Sequence, residues 1–317
     1  MYNLTIFETM KRFFVAIAAL GLAAAVASAQ DFNAAVDAFN AGAQALETNK
    51  EEALTQFRQA LTLAQACEDA EAAELIGKCK EIIPGTILSI AKEQINEANY
   101  DAALATLAEA KAVATEYSAQ EAIDEAATLV PNVHLRKGTT LLKAKDFASA
   151  VASFKEVVAL TPEDGQAYLL LGQAQLQSGA TDDAIAALGK ASELGEEQAG
   201  KLLSTTYLKK GMGLLKAGKN AEAIEALETS NTYAESANAY KLIASAYTKS
   251  GKSAKAISAY KKYLEISPDA KDAADINFTI AATAQKSGDK ATAKEYYAKL
   301  AGTKYAAQAE AQLKALK

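Results

Sequence analysis

Few residues in this 317-residue chain have the type and spacing to do chemistry. His134 is its one histidine. Acid–base work asks a histidine for a group that orients it and a reacting atom within reach, and the adjacent Leu135 and Arg136 supply neither. Metal binding asks for several His, Cys or carboxylate ligands at set spacing, and one histidine cannot build a His–His shell. Cys67 and Cys79 are the only cysteines, and an oxidising compartment would allow a bridge. Cys67 falls near a helix turn and Cys79 about nine residues past it, so about 13 Å separates them along the next helix. A disulfide needs Cα atoms within about 7 Å, so two thiols are expected. Gly211-Met212-Gly213 hints at a phosphate-binding loop, but it follows no strand and falls mid-helix, where close packing explains it better. Asp182-Asp183 stands at a helix start, where carboxylates favour the dipole. No enzyme, no cofactor and no metal site is expected, and packing accounts for His134, which stands where later repeats place Tyr168, Tyr207 and Tyr240.

The elements that carry these residues read as helices. Half the chain is hydrophobic, Trp is absent, Pro is scarce, and Ala is abundant, a composition that favours helix throughout. The stretch 237–268 shows the unit most clearly. Tyr240, Ile243, Ala244 and Tyr247 form one apolar stripe at three- and four-residue steps. Ser250-Gly251-Lys252 breaks it, because Gly can take the left-handed conformation that ends a helix. Ala256, Ile257, Tyr260 and Tyr263 form a second stripe, and Pro268 stops it. Ala244 and Ala256 fall where the two helices cross closest, so a longer side chain there would hold the backbones apart.

The same unit recurs along the chain. Phe39, Gly42 and Leu46 pair with Ala53, Phe57 and Ala60 in a first, degenerate repeat whose turn is one residue short. Ala91, Asn99, Ala103, Leu107 and Ala110 mark the second, and Gly138, Phe147, Ala150, Phe154 and Pro162 the third. Both follow an extra helical stretch, 70–83 and 119–130, that ends at Pro84 or Pro131. Either a proline-kinked long helix or a separate short helix would fit there. The fourth shows Tyr168, Gly172, Gly179, Ala184, Leu188 and Ala191. The fifth follows a small insertion around 199–203 and shows Tyr207, Gly211, Gly218, Ala223 and Leu227. After the sixth, at 237–268, the seventh has Ala281, Gly288, Ala293 and Tyr297. A last helix over 304–316, with Tyr305, Leu313 and Leu316 on one side, suits the end of an open stack.

An aromatic, a small residue four places on, Gly at the turn, an Ala, an aromatic and then Pro: this order resembles the tetratricopeptide repeat (TPR) family over 31–317. The resemblance implies an all-α fold, an α-solenoid in which TPR-like helix pairs form a right-handed superhelix. It also implies a scaffold that binds a protein or peptide. The physical reading agrees, since a helix pair with two apolar faces buries both only by stacking on neighbours. About seven repeats and a capping helix are expected over 30–317.

The first 29 residues read as a signal peptide. Lys11-Arg12 form the basic start, Phe13 to Val26 the apolar run, and Ala27-Ser28-Ala29 the cleavage site, with Met10 as the initiator. The run is too short to span a bilayer, so the mature chain is expected to be exported, periplasmic or secreted. A net charge of −6 argues against broad nucleic-acid binding. Residues 30–130 carry 18 acidic and 6 basic side chains, and 131–317 carry 20 and 25.

In TPR-like superhelices the first helix of each pair lines the concave face. Carried over by position, that face receives Asn132, Leu135, Thr139, Leu142 and Lys143 from the third repeat and Gln166, Leu169, Gln173, Leu176 and Gln177 from the fourth. The fifth adds Leu208, Met212, Leu215 and Lys216; the sixth Asn238, Lys241, Ser245 and Lys249; the seventh Phe278 and Lys286. Lys143, Gln177, Lys216, Lys249 and Lys286 are then one recurring position. A row of ammonium groups with apolar residues between them suits an extended acidic or amphipathic partner segment. Solvation of the surface is the plainer account of the same lysines. Thr139, Gln173, Met212 and Ser245 stand where the family's carboxylate-clamp variety has Asn. Two alternatives are head-to-tail self-assembly, acidic front on basic rear, and an accessory subunit of an envelope enzyme complex.

Overall fold

The computed structural model describes residues 28–68 and 70–316, so the leader expected over 1–29 lies almost wholly outside the described residues. Fifteen helices and no strand occur among them. They are α1 (Ser28–Ala45), α2 (Lys50–Gln65), α3 (Ala70–Asn96), α4 (Tyr100–Glu116) and α5 (Gln120–Lys143). Next come α6 (Phe147–Leu160), α7 (Gly165–Ser178), α8 (Thr181–Glu193), α9 (Glu197–Lys216) and α10 (Asn220–Tyr233). The series ends with α11 (Ala237–Lys249), α12 (Ser253–Ile266), α13 (Ala273–Lys286), α14 (Lys290–Ala298) and α15 (Ala306–Ala315). They form two compact units that divide between Lys137 and Gly138.

The first unit is built on long helices. α3 has 27 residues and runs through Pro84; α5 has 24 and runs through Pro131. Of the two arrangements the sequence left open, the single long helix is the one observed. Each proline forfeits one hydrogen bond to the carbonyl four residues back. Burial of Pro84 beside Ile83, Ile87 and Leu88 offsets that loss within α3. The Phe39 and Phe57 rings meet at 5.3 Å. A Cβ on Gly42 would lie 2.8 Å from the Phe57 ring, so the first pair closes as tightly as the later ones. Cys79 is fully buried in this core, and burial pushes its thiol up to about 12. Cys67 Sγ instead donates to the Leu63 carbonyl at 3.4 Å, so the two thiols are not bridged.

The second unit repeats one crossing. Gly138 faces Phe154, Gly172 faces Leu188, and Gly211 faces Leu227. A Cβ on each glycine would fall 2.7, 2.6 and 2.6 Å from the facing side chain. Ala244 and Ala281 hold the same place in the last two pairs and are fully buried. The facing residue always lies 16 positions on, and 15 in the first pair (Gly42 to Phe57), which is the short turn read from the sequence. One left-handed residue closes each within-pair turn of this unit. Gly251, at φ +70°, lets the Lys252 N–H reach the Tyr247 carbonyl at 2.9 Å, the bonding that ends a helix in a tight reversal. Lys145 does the same at φ +63° and Ala98 at φ +62°, where a Cβ makes the conformation costly.

Two features were not spelled out by the repeat. The insertion around 199–203 lengthens α9 to 20 residues. Inside that lengthened pair, Ser230 Oγ donates to the Ser204 carbonyl at 2.8 Å and lies 3.2 Å from Ser204 Oγ. At the end of the unit, α15 covers α13. Tyr305 stacks on Phe278 at 4.5 Å, Gln285 bonds Gln312 at 2.8 Å, and Leu316 is buried.

Candidate binding face

The first helices of the second unit spend their apolar residues on neighbours. Leu169 is 1% exposed, clustered with Leu188, Ala191, Ala199 and Leu203. The expectation that it lines an open face is therefore corrected: the next pair covers it. Phe278 is likewise taken by Tyr305 and by the edge of Tyr297. Leu208 and Leu215 are half-buried against the cluster that holds Ile243 and Ile280.

The polar candidates divide into three groups. Gln177, Met212, Lys216, Asn238, Lys249 and Lys286 are exposed on α7, α9, α11 and α13, and Lys143 is exposed at the end of α5. Thr139, Gln173 and Ser245 are half-buried. Lys241 has its charge met within the chain: Nζ is 2.5 Å from Asp272 Oδ2 and 5.6 Å from the centre of the Tyr263 ring. The same Asp272 accepts from Tyr263 Oη at 2.5 Å. The Lys241 hydrogen bond, then that of Tyr263, holds the Asp272 carboxyl below its usual range. Its hydrogen bond to Asp272 pushes the Tyr263 hydroxyl up to about 12. Lys241 therefore ties α11 to the start of α13. Asn132 belongs to the first unit, where its Nδ2 donates to the Thr128 carbonyl at 3.0 Å.

Lys143, Lys216, Lys249 and Lys286 are each the last residue of their helix. A cation there complements the negative end of the helix dipole, a reason for lysine that a sequence-only face assignment does not contain. Among the described residues none of the four makes an ion pair. They crowd toward the within-pair turns and leave the middle of the first helices to Gln173, Met212 and Ser245.

Of the residues weighed for chemistry, Gly211 has a packing role. Gly211 is the closest approach in its pair, while a Cβ on Gly213 would meet nothing within 4 Å. Asp182 lies 2.9 Å from Lys210 of the next pair, and this hydrogen bond raises the lysine's pKa. His134 is half-buried in α5. Among the described residues no group of three His, Cys, Asp or Glu could hold a metal ion. No helix among them is long and apolar enough to cross a membrane.

Residues 135–199 and 208–271, the heart of this unit, match the tetratricopeptide repeat family. Those two stretches carry tetratricopeptide repeats. No curated protein matches it. Among solved structures, a MamA crystal structure is 24% identical over 54% of this chain and 90% of its own, with a TM-score of 0.34. YrrB, described as a TPR protein with an unusual peptide-binding site, is 18% identical over 59% of this chain and 88% of its own, with a TM-score of 0.31. The thermophilic TPR protein TTC0263 of Thermus thermophilus is 19% identical over 63% and 98%, with a TM-score of 0.25. At those scores the likenesses carry no functional weight. The repeats themselves do: TPR proteins bind proteins or peptides, and the all-helical solenoid of pairs is what presents a surface for it.

Proposed function

We propose that this TPR protein is a non-catalytic scaffold of the cell envelope. It holds an extended acidic or amphipathic partner segment along the first-helix face of its second unit. The observation that carries this reading is the division of labour within α7, α9, α11 and α13. Apart from Met212, their large apolar residues are spent on neighbours, while Gln177, Met212, Lys216, Asn238, Lys249 and Lys286 stay exposed. Met212, 38% exposed, offers an adaptable apolar contact, and the lysines beside the turns offer charge to an acidic segment.

Capture from an envelope extract tests it. The triple variant Lys216→Glu, Lys249→Glu, Lys286→Glu is expected to lose the partner that the wild-type chain retains. Recovery of the same partner in the same yield would reject the face. N-terminal sequencing of the mature protein tests the location, with a start near Gln30 expected. A second reading, head-to-tail self-assembly, draws on the acidic 30–130 and basic 131–317. It predicts an oligomer that dissolves as salt screens it, which light scattering would read.

A further inference from the structure

The within-pair turns of α9–α10, α11–α12 and α13–α14 carry Lys216, Lys219, Lys249, Lys252, Lys286 and Lys290, all exposed. Of the acids beside them, Glu222 pairs with Lys219 at 3.3 Å and Asp289 caps the Thr292 N–H at 3.0 Å; the α7–α8 turn before them carries Asp182 and Asp183 instead of lysine. In a stack of hairpins the within-pair turns share one edge, and the connections between pairs share the other. That second edge carries Glu163, Asp164, Glu196, Glu197, Glu235 and Asp269, with Lys271, Lys299 and Lys304 in its last connections. Helix dipoles do not impose this sorting, because each edge holds both helix starts and helix ends. Nor does turn geometry: the within-pair turns of the first unit carry Glu47, Glu51, Glu52, Glu97 and Asp101, and α3 ends without a basic residue.

The residues between the lysines identify the partner. They are Ala217, Gly218, Ser250, Gly251, Ser287 and Gly288, which project nothing past the ammonium groups. A protein interface draws its affinity from buried aromatic, Met or Arg anchors, and this edge has none. Nucleic-acid recognition leans on Arg forks and stacking rings, and residues 138–317 contain no Arg at all. A strip of lysines alone, recurring once per helix pair, fits a diffuse plane of negative charge. We propose that this turn edge rests on an anionic lipid surface, with the second edge turned away from it. Binding of this kind is electrostatic, and each lysine is worth roughly fivefold in partitioning.

The test is sedimentation of the full chain with phosphatidylglycerol–phosphatidylcholine vesicles, against phosphatidylcholine alone. The variant Lys219→Glu, Lys252→Glu, Lys290→Glu avoids the lysines assigned to the first-helix face. It also leaves helix starts that accept glutamate well, so circular dichroism should be unchanged. Expected are binding to the anionic vesicles only, loss at about 1 M salt where the Debye length is about 3 Å, and a drop of roughly a hundredfold in the variant. Retained partner capture by the variant would keep this surface distinct from the proposed face. Three outcomes would overturn the proposal: equal binding to neutral vesicles, a variant that binds as wild type, or DNA binding as tight as vesicle binding.

Discussion

Gly211 shows how much one hydrogen atom holds apart. Its missing Cβ would sit 2.6 Å from Leu227 Cγ, a buried side chain with nowhere to move. Gly211→Ala is therefore expected to destabilise the protein by about 1–3 kcal/mol through overpacking, less the gain alanine brings to a helix. Gly213→Ala, two residues on with open space, keeps only that gain of about 0.5–1 kcal/mol. Urea melts of the two variants should move in opposite directions. Lys145 offers the reverse case. Lys145→Gly removes a Cβ from a left-handed residue and should raise stability by about 1 kcal/mol, again read by denaturation. Asp272 sets a pH dependence. Its carboxyl is held below the usual range by Lys241 and Tyr263, so the stabilisation is complete above the unfolded carboxylate value of about 3.9. It is lost as pH falls through the lower folded value. Asp272→Asn should flatten that part of the stability–pH profile, and an unchanged profile would remove Asp272 from the account.

At the scale of elements, much was legible because the signal was local. The small residue and its large partner 16 positions later lie within one helix pair, and so does the turn residue between them. Contacts between pairs were hidden. Leu169 reads as a face residue until Ala199 and Leu203 of α9 are seen to cover it. The Lys241–Asp272 tie joins residues 31 apart, and its acid lies in a connection with no periodic pattern to announce it. Ser204 and Ser230 are polar and carry no core signal, yet Ser230 is fully buried. The Ser204 carbonyl keeps its place in the helix ladder, so losing the Ser230 bond with Ser230→Ala should cost about 0.5–1.5 kcal/mol, measured by thermal or chemical unfolding. Pro84 and Pro131 marked true landmarks, but whether a long helix passes through them depended on burial that the sequence does not display.

At the scale of the molecule, the repeats give each unit a reason to exist. The first unit spends its residues on long helices around Ile83, Ile87 and Leu107. The second keeps one side of four successive first helices polar and open. Partner binding by that side is the central claim. Amide hydrogen exchange of the protein with and without its captured partner tests it most directly. Slowed exchange is expected in α7, α9, α11 and α13, around Gln173, Met212 and Ser245. Protection confined to α8, α10, α12 and α14, with the first helices unchanged, would contradict it.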